Sequence, residues 1–322
     1  MGIETLSPPV MPAASRAAAQ RQFPAYAPRL RRMDAARFSL SGAAHHRHVA
    51  YTLPVAELCR AALMGLYGSL HPQSDASRGR SAIFAGKNPL GAPLLGHGHA
   101  RYLPTDENTD GLLDHITVYA HDGFDAAHQA ALGGLQFLRL PETEERLTVQ
   151  LVGLGVAEEM GVGPLAKAAC WQSATPYVAT RFAKTRGKKR TASPINFLIS
   201  DLAGQLTEFC QRHGGVAVAA IEPVLRDGVF CHPCYGGAGV GNFLRSRVRR
   251  ADNGGLRHCG YFRVRFTAAV NGPVAAGHNA HFGMGLFLPM GETGRRNWFV
   301  EAPARRGHNE DLQTGDLPAA RG

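Results

Sequence analysis

Residues 96–120 read GHGHARYLPTDENTDGLLDHITVYA, in which polar and apolar side chains alternate on both sides of a short polar segment. This pattern predicts two antiparallel strands, at about 97–104 and 113–120, joined by a tight loop. Successive side chains of a strand point to opposite faces of the sheet. The first strand therefore places Ala100 and Tyr102 on one face. Its other face carries His97, His99 and Arg101.

The second strand divides in the same way, with Ile116, Val118 and Ala120 on one face and His115, Thr117 and Tyr119 on the other. If the loop pairs Arg101 with His115, the polar sets of both strands share one face. That face would collect three histidines, an arginine and a tyrosine. Because histidine gains and loses a proton near neutral pH, such a surface suits proton transfer on a charged substrate.

The composition favours an acidic polymer as partner. The chain has 322 residues, with 35 Lys and Arg against 25 Asp and Glu, a net charge of +10 and a pI of about 9.6. The six cysteines are scattered and do not resemble a disulfide framework. With no secretory signal and no long apolar run in the sequence, we expect a cytoplasmic protein without a membrane partner.

The elements around this hairpin predict an α+β fold. A strand within 36–53, a helix beginning near Pro54, the hairpin, a helix at 125–138 and a strand at 146–152 give the order βαββαβ, which is ferredoxin-like. Two helices would cover one face of this sheet and leave the histidine face open. A looser repeat follows, with strands at 167–180, 216–221, 260–268 and 284–289 and a helix at 195–213.

We therefore predict tandem ferredoxin-like (RRM-like) domains with a C-terminal glycine-rich loop. The expected divisions are a flexible arm at 1–35, an N-terminal domain at 36–156, a degenerate C-terminal domain with the glycine-rich loop at 157–303, and a tail at 304–322.

Two possible metal sites are weak. Asp106–Gly111 (DENTDG) resembles the start of a calcium loop, but Thr117 stands where a bidentate Glu is required, so we interpret the segment as a polar turn with Gly111 at positive φ. Cys231 and Cys234, with His258 and Cys259, could hold zinc, but adjacent residues seldom both bind one ion. We expect no metal and no other cofactor.

Several segments are suited to binding a ribose-phosphate chain. Residues 181–190 read RFAKTRGKKR, a second run holds four arginines, and residues 272–285 read GPVAAGHNAHFGMG. The predicted RNA-binding residues are Lys184, Arg186, Lys188, Lys189, Arg190, Arg245, Arg247, Arg249, Arg250, Gly277, His278, His281, Gly283 and Gly285.

These motifs together resemble a known family. The hairpin sequence, WQSATPYV at 171–178 and FRVRFTAAVNGPVAAGHNAHFGMGLF at 262–287 resemble the RAMP superfamily of CRISPR systems. The resemblance runs from about residue 37 to 290. It is most specific to the repeat-cleaving half of the fused backbone-and-processing subunit of type I-U (I-G) systems. Those proteins carry a further RAMP half before this region, whereas about 35 residues precede it here, so we expect a stand-alone processing subunit.

The resemblance implies a metal-independent endoribonuclease that cleaves precursor CRISPR RNA within its repeat and leaves a 2′,3′-cyclic phosphate. The repeat stem-loop would be its partner, and other subunits of a type I effector complex are further candidate partners. The catalytic candidates are His97, His99, His115 and Arg101, with His97 or His99 as general base, His115 as general acid or orienter, and Arg101 as charge stabiliser.

Two alternatives remain open at this point. One is a non-catalytic CRISPR RNA-binding subunit of an effector ribonucleoprotein. The other is a metal-dependent nuclease using Asp106, Asp110, Asp114 and the histidines.

Overall fold

The computed structural model describes residues 32–70, 81–88, 90–94, 96, 98–141, 144–183, 193–212, 214–235, 238–247 and 252–290. The helices are α1 Ala44–Arg47, α2 Thr52–Leu70, α3 Ala82–Ala85, α4 Ala126–Gly133, α5 Ala157–Met160 and α6 Pro194–Arg212. The strands are β1 Ala35–Gly42, β2 Arg101–Thr105, β3 His115–Tyr119, β4 Phe137–Arg139, β5 Arg146–Gly155, β6 Lys167–Ser173, β7 Tyr177–Val178, β8 Val218–Pro223, β9 Leu225–Arg226, β10 Val229–Phe230, β11 Cys259–Gly260, β12 Phe262–Asn271 and β13 Phe287–Pro289. The chain is thus a mixed α+β protein with antiparallel sheets.

The first sheet has five antiparallel strands in the order β2-β3-β1-β5-β4. Its elements follow the predicted order βαββαβ, with the short β4 added at the edge. The long helix α2 buries an apolar stripe that includes Val55, Cys59 and Leu63 against the sheet. Helix α4 packs beside α2.

The predicted pairing of the hairpin is wrong. Arg101 lies opposite Tyr119, and His115 lies opposite Thr105. The register differs from the expected one by an even number of residues, so each side chain of the paired strands points to the predicted face. Arg101 and His115, however, lie at opposite ends of the pair. The cause is the long connection after β2, in which Asp106 and Asp114 accept hydrogen bonds from backbone amides of the loop.

The second large sheet has four antiparallel strands in the order β13-β6-β12-β8. Helix α6 covers one face through Leu198, Leu202 and Leu206, which recur at helical spacing and are buried. The alternation of β12 is as expected, since Phe262, Val264 and Phe266 are buried while Arg263 and Arg265 are exposed.

The two large sheets order their strands alike. When the strands of each sheet are numbered along the chain, leaving out the short β4, both read 4-1-3-2. The second sheet has one helix, α6, between its first two strands. Where the first sheet has α4, the second has a glycine-rich connection, 272–286, with one short 3₁₀ turn at Ala280–Phe282.

The C-terminal segment packs against the far face of β2. Every residue of β2 is buried, and Leu103 clusters with Leu286 and Leu288. The expectation that this face is open is therefore wrong at β2, because the segment that returns to β13 lies over it. The exposed Val152 shows that the same face is more accessible at β5.

In the described part of the chain, the helical stretch Val49–Leu70 is long and apolar enough to cross a membrane by length and composition. Of its most apolar 18-residue window, 56% is buried inside the protein. A core helix passes the same test, so this finding is weak evidence for a membrane span.

Candidate active site

A small basic cavity lies where the first sheet meets the glycine-rich connection. Its volume is about 160 Å³, and its polar lining comes from Arg60, Lys87, His99, Tyr102, Arg247 and His281. Cavities that hold a whole drug-sized ligand measure about 300–1,000 Å³. This cavity therefore fits a phosphate or part of a ribose-phosphate unit better than a complete nucleotide.

Two histidine rings stack at this cavity. The ring centroids of His99 and His281 are 4.2 Å apart, and the ring planes differ by 11°. His99 lies just before β2, whereas His281 lies in the 3₁₀ turn between β12 and β13. The fold thus joins two histidines that are 182 positions apart in the chain, one next to a strand of the first large sheet and one between two strands of the second.

Both rings are held by close backbone packing. Gly86 lies against His99, since a Cβ atom at Gly86 would be 2.8 Å from Cδ2 of His99. The turn that carries His281 begins at Asn279 and ends at Gly283, both with left-handed backbone conformations. These local geometries fix the direction from which each ring enters the cavity.

Two arginines next to the rings are fixed by hydrogen bonds. Arg60 donates to the carbonyl oxygens of Phe84, at 3.2 Å, and Ala85, at 2.9 Å. Arg247 forms a 2.7 Å ion pair with the buried Glu57. Its guanidinium carbon also lies 4.6 Å from the ring centre of Phe282. With Lys87, the lining carries three cationic groups, so the cavity favours an anion.

Tyr102 is a structural part of this wall. Burial, followed by the neighbouring Cys59, raises the pKa of Tyr102 well above its ordinary value. The hydroxyl keeps its proton at neutral pH and donates a 2.9 Å hydrogen bond to the carbonyl oxygen of Phe84. Tyr102 is therefore suited to shaping the cavity and not to accepting a proton.

The structure does not bring His115 to the His99 ring. His99 precedes β2, and the partner of His115 is Thr105 at the other end of that strand. Six residues of strand span about 20 Å. Nδ1 of His115 lies 2.9 Å from Asp114 and 3.8 Å from Glu107, so this ring belongs to the acidic hairpin loop.

The remaining catalytic candidates have different positions. His97 lies outside the described residues. Arg101 is mostly buried and donates a 3.4 Å hydrogen bond from Nη1 to the carbonyl oxygen of Ala275. It thus lies on the face that the C-terminal segment covers.

The DENTDG segment is the polar turn that the sequence indicates. Asp106 accepts hydrogen bonds from the amides of Thr109 and Gly111 and from the hydroxyl of Tyr235. Gly111 has a φ of +89°. Asp110 and Asp114 also accept backbone amides, so all three carboxylates serve the loop itself.

The described part of the predicted RNA-binding set divides in two. Arg247 and His281 line the cavity. Arg245 instead bonds Cys259 and the carbonyl oxygen of Arg257, and His278 lies 3.5 Å from Asp252.

The glycines of this set serve packing inside the protein. A Cβ atom would be 2.5 Å from the carbonyl oxygen of Val178 if placed at Gly277, and 2.0 Å from that of Ala276 if placed at Gly285. At Gly283 it would be 2.9 Å from Cγ2 of Thr52. The other members lie outside the described residues: Lys184, Arg186, Lys188, Lys189, Arg190, Arg249 and Arg250.

The cysteine segment is held by His232. Its Nε2 donates to the carbonyl oxygen of Ala174 at 3.0 Å, and its Nδ1 accepts from the amides of Cys234 and Tyr235. Both ring nitrogens are therefore engaged within the protein. Among the described residues, the four predicted zinc ligands do not form a close group of three donors.

The sequence singled out most residues of this cavity but did not indicate that they lie together. His281 and Arg247 stood out as RNA contacts and His99 as a catalytic candidate, but Arg60 lay unremarked within the apolar helix. The only local signal for His281 is its place in the glycine-rich motif GHNAHFG.

No family model matches the chain, and no curated protein matches it. Among solved structures, a Cas6 product complex superposes with a TM-score of 0.39 and 15% identity, covering 80% of this chain and 100% of that one. A likeness at this level does not establish a shared fold or function.

Proposed function

We propose that the chain is a metal-independent endoribonuclease that cleaves precursor CRISPR RNA within its repeat. The observation that carries this proposal is the stacked pair His99 and His281 beside Arg60, Lys87 and Arg247. The resemblance of the motifs to repeat-cleaving RAMP proteins and the net charge of +10 support the same substrate class.

The proposed fold is a tandem of ferredoxin-like halves, the second lacking one helix. The shared 4-1-3-2 strand order supports it. In this arrangement the connection that replaces the missing helix carries His281, and it delivers the ring to the first half. The catalytic pair would then exist only when both halves are docked.

The chemistry requires one base and one acid. One imidazole removes the proton of a ribose 2′-hydroxyl, and the oxygen attacks the adjacent phosphorus. The P–O5′ bond breaks, and the other imidazole, initially protonated, gives its proton to the departing oxygen. The products are a 2′,3′-cyclic phosphate and a 5′-hydroxyl.

The stacked geometry suits this division of roles. Two like charges about 4 Å apart repel by a few kcal/mol in a partly buried setting. The repulsion therefore opposes protonation of both rings at once, and the anionic phosphate of bound RNA would favour the single proton that an acid and a base must share. Arg60, Lys87 and Arg247 would stabilise the added negative charge of the phosphorane.

Binding of the repeat stem is assigned to two cationic runs of the sequence. Lys184, Arg186, Lys188, Lys189 and Arg190 lie together in sequence, as do Arg249 and Arg250 close to Arg247. Their phosphate contacts would position the stem so that the scissile linkage reaches the cavity.

Incubating the full chain with repeat RNA in EDTA tests this proposal. We expect cleavage that is unaffected by EDTA and blocked by a 2′-deoxy sugar at the scissile nucleotide. Tight binding without product would favour the non-catalytic RNA-binding subunit. Activity lost in EDTA and restored by Mg²⁺ would favour the metal-dependent nuclease.

A further inference from the structure

A second histidine cluster lies on an exposed surface beyond the end of β1. Helix α1 carries His45 and His46, and Glu145 lies in the turn just before β5. Nε2 of His45 is 3.2 Å and Nε2 of His46 is 3.0 Å from the same oxygen, Oε2 of Glu145. One donor atom from each residue lies within 4.8 Å of the other two.

The two histidine–glutamate distances are close to those of ligands around one ion. Zn²⁺ holds imidazole nitrogen and carboxylate oxygen at about 2.0–2.2 Å, so ligands at a tetrahedral angle are about 3.3 Å apart. The two observed distances differ from this value by only a few tenths of an ångström, and the donor atoms of the two histidines lie within 4.8 Å of each other. Adjacent residues seldom both bind one ion, but here the Nε2 atoms of both histidines already meet one carboxylate oxygen. We propose that His45, His46 and Glu145 bind a divalent transition-metal ion, with the fourth position open to water.

The donor set limits which metal fits. Imidazole nitrogens suit Zn²⁺, Ni²⁺ and Cu²⁺, whereas Mg²⁺ and Ca²⁺ prefer oxygen ligands. Two nitrogens and one carboxylate oxygen therefore favour the first group. The exposed position allows entry of the ion from solvent.

The segments that carry the donors are anchored. Arg47 donates to the carbonyl oxygens of Gly42, at 3.1 Å, and Leu113, at 2.9 Å, which ties α1 to the sheet. The amide of Leu140 donates to the carbonyl oxygen of Glu145 at 3.2 Å and closes the β4–β5 turn. A bound ion would fasten α1 to that turn and stabilise the folded state by mass action.

This site is separate from the basic cavity and does not rest on the proposed function. Ala35, at the start of β1, and Arg101 both lie opposite Tyr119 of β3, on either side of that strand. The start of β1 is therefore at the same end of the sheet as His99. Helix α1 follows the other end of this eight-residue strand, which spans about 25 Å.

The test is a metal titration of the full chain after EDTA treatment and desalting. Co²⁺ is added as the probe, its visible absorption is followed, and Zn²⁺ is then used to displace it. We expect one saturable site. Removing an outer-shell partner of a metal ligand costs about 10- to 100-fold in affinity, so His45→Ala, His46→Ala and Glu145→Gln should each weaken binding at least that much.

Two controls separate this site from other donors. His121→Ala removes an exposed histidine elsewhere, and the double variant Cys231→Ser/Cys234→Ser removes the thiols; both should bind like the unaltered chain. Three results would overturn the proposal. They are Co²⁺ affinity in all three site variants equal to that of the unaltered chain, no Co²⁺ binding by the unaltered chain up to millimolar concentration, and loss of the Co²⁺ absorption in the cysteine variant. Circular dichroism checks that each variant is folded.

Discussion

At the scale of single residues, Gly86 sets where the His99 ring can lie. Its φ is +65°, and a Cβ atom there would be 2.8 Å from the ring. We expect Gly86→Ala to displace the ring from His281 and to lower the cleavage rate by about tenfold or more, because misplacing a catalytic group by an ångström can cost about 10²-fold.

Gly91→Ala is the matched control for that variant. Gly91 also has positive φ, +85°, but a Cβ atom there meets nothing within 4 Å. Both changes carry the backbone strain of alanine at positive φ, so a difference in single-turnover rate reports the contact with His99. Equal rates for the two variants would show that Gly86 does not position the ring.

His278 gives a second residue-scale prediction. Burial, followed by the charge of Arg257, lowers the pKa of His278 below its ordinary value of 6.5. The unfolded chain therefore takes up this proton at a higher pH than the folded chain. The stabilisation is complete above pH 6.5 and is lost as the pH falls from 6.5 through the lowered pKa.

We accordingly expect His278→Gln to lose less stability than the unaltered chain between pH 7.5 and 5.5, as measured by urea unfolding at each pH. His121→Gln, at an exposed position, should follow the unaltered chain. A steeper pH dependence in His278→Gln would contradict the assignment.

The residue scale also shows where sequence reasoning ended. Alternation correctly placed Arg101 and His115 on one face of the hairpin, but His99 lies before β2, where the strand pattern does not apply. Alternation could not give the separation of Arg101 and His115, because the register depends on hydrogen bonds of Asp106 and Asp114 inside the loop. The partner of His99 is His281, and no local pattern relates two residues so far apart in the chain.

At the scale of elements, His128 joins the N-termini of two helices. Ser81 precedes α3 and accepts a hydrogen bond from the amide of Phe84, while Asp125 precedes α4 and accepts one from the amide of His128. The His128 ring lies 2.7 Å from Oγ of Ser81 and 2.6 Å from Oδ1 of Asp125. One ring therefore links both caps.

We expect Ser81→Ala to destabilise the chain by about 1–2 kcal/mol, since it removes an N-cap and a buried hydrogen-bond partner. Urea unfolding measures this change. Ser69→Ala, at an exposed helix position, should change stability by less than about 0.5 kcal/mol. Equal effects of the two variants would contradict the linking role.

Most elements could be predicted because their signals are local. The apolar stripe of α2 and the alternation of β12 lie within single segments and match the burial found. The short α3 has no such periodicity, and no helix is predicted there from the sequence. Its position depends on contacts with α2 and on the cap at Ser81.

At the scale of the whole molecule, the glycine-rich connection that carries His281 is tightly packed. Gly285 has a φ of +59°, and a Cβ atom there would lie 2.0 Å from the carbonyl oxygen of Ala276. We expect Gly285→Ala to lower the free energy of unfolding by more than about 3 kcal/mol, because strain and a backbone clash add.

Gly228→Ala isolates the contribution of strain. Gly228 has a φ of +77° with nothing within 4 Å of a Cβ atom, so its substitution should cost only about 1–2 kcal/mol. Chemical denaturation of both variants gives the comparison. If Gly285→Ala costs no more than Gly228→Ala, the connection is not tightly packed.

The packing of the C-terminal segment on β2 is the part of the fold that the sequence did not predict. The apolar residues Leu286 and Leu288 signal a buried strand, but they do not say what buries it. The structure places them against Leu103 of β2. This long-range contact covers the face that was expected to be open, and it brings His281 to His99.

The most direct test of the account is the single-turnover cleavage of repeat RNA by His99→Ala and His281→Ala, with RNA affinity measured in parallel. We predict a rate loss of about 10²- to 10⁴-fold for each variant, with affinity nearly unchanged and with His115→Ala close to the unaltered chain. Cleavage by His281→Ala at the unaltered rate would contradict the account.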